Sequence, residues 1–78
     1  MEKTTNEELA ARFREIREDL YGEYGAQFLA DDLGLPLETW MNYESGIVMP
    51  AAVVLMLIVT ASVNPHWLLT GRGKKYDR

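Results

Sequence analysis

The corner at Gly34 and Pro36 restricts the fold of this chain more than any other feature. It lies inside the stretch LADDLGLPLETWMNYESG, Leu29 to Gly46. Leu29, Ala30 and Leu33 keep helical spacing. Gly34 supplies a residue free to take the positive φ that stops a helix, and Pro36 suits the first position of the next one. The spacing predicts two helices joined by a tight turn, a helix-turn-helix pattern. In the second of them Trp40 and Tyr43 lie three residues apart and Leu37 and Met41 four apart, so the first pair anchors the helix inward while the second faces outward.

Seventy-eight residues make one small domain, able to bury only about 60% of its unfolded surface. With no cysteine and a single histidine, His66, neither a disulfide framework nor a zinc cluster is expected, and no metal or cofactor is assigned. The N-terminus, MEKTTNEEL, lacks a basic-then-apolar signal arrangement. The longest apolar run, Met49 to Val59, is well short of the ~20 residues that span a bilayer. The chain reads as cytoplasmic, without a membrane segment.

The net charge of -4 is unevenly spread. Between Arg17 and Arg72 there is no lysine or arginine, while Glu18, Asp19, Glu23, Asp31, Asp32, Glu38 and Glu44 fall in that interval. The bases sit at the two ends, as Lys3, Arg12, Arg14 and Arg17 and then Arg72, Lys74, Lys75 and Arg78. An acidic middle of this kind opposes contact with phosphate.

Thr4 and Thr5 each precede a glutamate by three residues, so either can close a capping box at the start of a first helix. Leu9, Phe13, Ile16 and Leu20 then form an apolar stripe that runs to about Leu20 or Tyr21. Gly22 and Gly25 bracket a connector, and a second helix covers about Ala26 to Leu33. Phe28 lies about 100° from the inward-facing Leu29, placing it at the flank or surface. The third helix covers Pro36 to about Ser45, and Pro50 opens a fourth, Ala51 to about Ala61, that is apolar nearly all round. Projected at about 100° per residue, Ala51, Val54, Leu55, Ile58 and Ala61 form its buried face and Val53, Met56, Leu57 and Thr60 its outer one. Asn64 caps a last helix from Pro65 that carries Trp67, Leu68 and Leu69 and stops at Gly71. Residues 1–71 thus make the domain, and 72–78 a mobile basic tail.

Little here points to catalysis. Asp31 and Asp32 are adjacent on a helix, so their carboxylates diverge by about 100° and form no dyad. His66 is a surface or packing residue, and Gly71-Arg72-Gly73 has no strand before it to make a phosphate loop. The chain is not read as an enzyme.

Taken together, Arg17 in the first helix, LADDLGLP, NYESG followed by Pro50, and NPHWLLTG resemble the phage-repressor and Cro type of helix-turn-helix domain, the XRE family. The resemblance runs from about Leu9 to Gly71. It implies an all-α, compact five-helix bundle of lambda-repressor type, whose third helix enters the major groove of double-stranded DNA while the second lies across the backbone. The DNA-facing positions are then Ala26, Gln27, Pro36, Leu37, Glu38, Met41 and Asn42, with Arg12 and Arg14 reaching phosphates from the flank. The resemblance also implies an Arg17–Glu44 pair locking the first helix to the end of the third, beside Trp40 and Tyr43. Such domains commonly pair, and an outer apolar patch of Val53, Met56, Leu57 and Trp67 is the expected homodimer interface. The leading expectation is a small sequence-specific DNA-binding transcriptional regulator. Asn42 is suited to adenine and Glu38 to cytosine, with Leu37 and Met41 against thymine methyls. The alternative is a protein-interaction module that kept the fold without the nucleic acid, motivated by the cation-free acidic interval.

Overall fold

The computed structural model describes residues 4–77, so Lys3 and Arg78 lie outside the described residues. Five helices follow in order: α1 (Asn6–Tyr21), α2 (Ala26–Leu33), α3 (Leu37–Glu44), α4 (Ala51–Ala61) and α5 (Pro65–Thr70). No strand of any length occurs among the described residues, and no helix there is long and apolar enough to cross a membrane. The all-α bundle expected from the sequence is what forms.

Of the two candidate caps, Thr5 starts α1. Its hydroxyl accepts the Glu8 N–H at 3.1 Å and the Glu8 carboxylate accepts the Thr5 N–H at 3.1 Å, which satisfies two donors that a helix N-terminus leaves open. α2 ends as its sequence demands. Gly34 takes φ 70°, its N–H reaches Asp31 O at 3.1 Å, and the Leu35 N–H reaches back to Ala30 O at 2.9 Å. Pro36 and Pro50 stand one position earlier than expected. Each is the extended cap residue (ψ 146° and 148°) rather than the first helical one, because proline's fixed φ serves either position and only ψ separates them. Gly25 answers a different need. A Cβ there would lie 2.1 Å from Tyr21 O, so only glycine lets α2 start this close to the end of α1.

Trp40 sits at the centre with no exposed surface, its ring 6.1 Å from that of Phe13. Ile16, Leu29, Ala30, Leu33 and Tyr43 complete the core where α1, α2 and α3 meet, and α4 closes it by packing on α2. The α4 helix corrects the sequence reading. Leu57 is wholly buried, Leu55 is 63% exposed and Ala51 is exposed too, so the inward side is Val53 and Val54, then Leu57 and Ile58, then Ala61; Val54, Ile58 and Ala61 face inward as expected. A helix apolar on every side carries no polar face to fix its rotation. The neighbours set its phase, and a stripe of four-residue steps ending at Ala61 satisfies them better than the one drawn through Leu55.

The segment after Gly71 is also not the loose tail expected. The Asn64 N–H donates to Lys75 O at 2.9 Å and the Asp77 N–H to Ser62 O at 2.8 Å, making one antiparallel bridge between Val63 and Tyr76. Lys75 Nζ lies 2.8 Å from Asp19 and 3.0 Å from Glu15, and 5.5 Å from the centre of the Trp67 ring. The Tyr76 hydroxyl donates to Asp19 at 2.8 Å.

The hydrogen bond from Lys75 holds the Asp19 carboxyl below its usual range against an opposing effect of partial burial, with Tyr76 adding to it, and Asp19 in turn raises Lys75. Asp19 is a depressed acid, so its contribution is present above the ordinary aspartate value of ~3.9 and lost as pH falls through its lower folded value. Lys75 is a raised base, whose contribution holds below ~10.4 and is lost as pH rises past its higher folded value. Amide exchange of Asn64 and Asp77 is therefore expected to keep its protection from about pH 5 to 8 and to lose it, ahead of the Trp40 amide, below about pH 4. Equal loss at both places would show that the segment is not held by this pair.

Candidate functional site

The α2–α3 unit is positioned by one buried ion network. Arg17 grips the Glu44 carboxylate with two hydrogen bonds, Nε at 3.0 Å and a terminal nitrogen at 2.8 Å, and both residues are buried. Trp40 Nε1 donates to the same carboxylate. Arg17 also reaches Glu23 O at 2.7 Å and Gly22 O at 3.3 Å, tying the α1–α2 connector to the end of α3. Glu44 keeps the Arg17 guanidinium charged and pushes its pKa up, against burial. The pair implied by the resemblance is present, and a planar bidentate contact of this kind fixes orientation as well as distance.

With Trp40 and Tyr43 turned inward, α3 offers Leu37, Glu38, Met41 and Asn42 to solvent. Leu37 is 39% and Met41 44% exposed. Gln27, on the exposed side of α2, donates its amide to Asp31 at 2.8 Å. Leu37, Glu38, Met41 and Asn42 on α3 and Gln27 on α2 are thus exposed, as is Pro36 between the two helices, while Ala26 at the start of α2 is half-buried. Two aromatic side chains are exposed as well, Phe28 on α2, already placed at the flank or surface, and Tyr24, 88% exposed, whose position in the connector had no periodicity to announce it. Asp32 is engaged from α1, accepting the Tyr21 hydroxyl. Burial, and then the Asp32 carboxylate, push that phenol up to about 12.

Among the described residues, most of the cations are engaged away from α2 and α3. Arg12, expected to reach phosphate, is largely covered. It donates to Leu68 O at 2.9 Å and to the Thr4 hydroxyl at 3.3 Å, where it closes the last turn of α5. Arg14 is half exposed and donates to Glu44 O at 3.0 Å, at the C-terminal end of α3. Glu15 and Asp19, which hold Lys75, project about 160° around α1 from Arg17, on the side away from α3. Arg72 and Lys74 belong to that same docked segment. Neither α2 nor α3 contains a lysine or arginine.

The apolar patch drawn from the sequence changes membership. Leu57 and Trp67 (7% exposed) are core residues and Val53 is half-buried, which leaves Met56, 41% exposed, as the surface residue of the four. Compared with family models, curated proteins and solved structures, the chain matches none.

Proposed function

We propose that this chain is a helix-turn-helix domain of phage-repressor type that serves as a protein-interaction module. On this reading its α2–α3 face takes a partner segment whose apolar side chain is flanked by lysine or arginine. The observation that carries it is the composition of the two helices: Leu37 and Met41 of α3 and Phe28 of α2 are exposed, Asp31, Asp32 and Glu38 are exposed on the same two helices, and neither helix carries a cation. Duplex DNA carries one phosphate charge per ~1.7 Å of axis, and binding without cations to replace its counterions lacks the dominant favourable contribution. A cationic amphipathic helix meets the same face with attraction and supplies a side chain for the methionine and leucine, adaptable residues that suit a protein surface.

An amphipathic lysine–leucine peptide is expected to shift the Leu37 and Met41 methyl resonances saturably, and Met41→Lys to weaken it at least tenfold. Oligolysine binding as tightly, or unmoved Leu37 and Met41 methyls, would contradict the proposal. A second reading, a DNA-binding regulator with α3 in the major groove, is favoured by two exposed amides, Gln27 on α2 and Asn42 on α3, and by the half-exposed Arg14 at the end of α3. On that reading Met41→Lys would strengthen binding to duplex DNA.

A further inference from the structure

On a different side of the bundle, α1, α4, α5 and the α3–α4 connector line a partly open hollow of about 350 Å³. Its floor is core: Phe13, Met49 and Leu68 line it and are each at most 9% exposed. Its rim is aliphatic and wet, with Val48 65%, Leu55 63% and Leu69 61% exposed. Among the described residues, Asn6 is the one polar side chain in the lining and no charged residue lines it. The chain from Ser45 to Gly71 contains no aspartate, glutamate, lysine or arginine, so three of the four walls carry no formal charge.

We infer that this hollow is a binding site for a neutral alkyl molecule of roughly eight to ten carbons, carrying at most one hydroxyl or carbonyl for Asn6. The size follows from the volume, which holds on the order of ten groups at the ~30 Å³ that a water-sized group occupies in a liquid. The neutrality follows from the lining: a charged head would lose its hydration and find no partner among these residues. A hollow with an apolar floor is poorly solvated, so filling it restores contacts its walls lack. A second copy of the chain is the poorer occupant. Two-fold pairing centred here sets the two hollows against each other on the axis, so a second copy fills them only through rim side chains set off the axis.

The test is a titration of the full chain with 1-octanol, octanoate and octylammonium, followed by the methyl resonances of Val48, Leu55 and Leu68, with sedimentation of the same samples. Expected are one-to-one saturation by octanol on a monomer, at least tenfold weaker binding of both charged chains, and at least tenfold loss in Leu55→Asp. Val48→Asp, outside any helix, gives the same loss if the α4 variant does not fold. The inference is overturned if octanol causes no saturable shift, if the charged chains bind as well, or if the chain is a dimer that shields these methyls without any alcohol. None of these outcomes bears on the α2–α3 face.

Discussion

Glu44→Ala is expected to cost about 3–5 kcal/mol, which is most of the stability of a weak domain in the roughly 4–12 kcal/mol range for this length. The reason is asymmetry. The substitution leaves the Arg17 guanidinium, 8% exposed, with only the Gly22 and Glu23 carbonyls, and it orphans the Trp40 indole N–H in the middle of the core. Urea denaturation followed by circular dichroism reads the cost directly. A loss under about 1 kcal/mol would mean that the pair is screened like a surface one. The companion prediction separates pairing from burial: Arg17→Met with Glu44→Leu removes both charges and is expected to lose much less than either single change, because nothing charged is left stranded.

The second large effect lies in α4. Leu57→Ala is expected to cost about 2–5 kcal/mol, since a wholly buried leucine leaves a cavity, whereas Leu55→Ala, two residues away, should fall within about 0.5 kcal/mol. Equal costs would place the helix in a rotation different from the one described.

These two experiments also mark where sequence was and was not enough. The α2–α3 corner was legible because each signal there is local and chemically specific: a glycine that tolerates φ 70°, a proline just beyond it, and Trp40 and Tyr43 three residues apart. The capping box of α1 was legible for the same reason, since both halves lie within four residues. The rotation of α4 was not, because Ala51 to Ala61 is nearly uniform around its axis and its phase is decided by partners far away in the chain. The docked C-terminal segment was hidden by distance: Lys75 and Asp19 are 56 residues apart, and a run of bases near a terminus carries no sign of which acids will hold it. Arg12 misled in a related way. A cation near the N-terminus reads as solvated until α5 is seen to present Leu68 O to it. At the candidate face, Leu37 and Met41 were readable from helical period and Gln27, Glu38 and Asn42 from the resemblance, while only the structure showed Arg12 and Lys75 bound to other parts of the bundle and left half-exposed Arg14 at the end of α3.

Fluorescence anisotropy of a labelled mixed-sequence duplex, titrated with the full chain at about 50 mM salt, tests the central claim most directly. The predicted result is no saturable rise at protein concentrations up to about 100 µM, the weak end of ordinary non-specific binding. Saturable binding in the micromolar range that weakens steeply as salt is raised to about 200 mM would contradict the account and return α3 to the major groove.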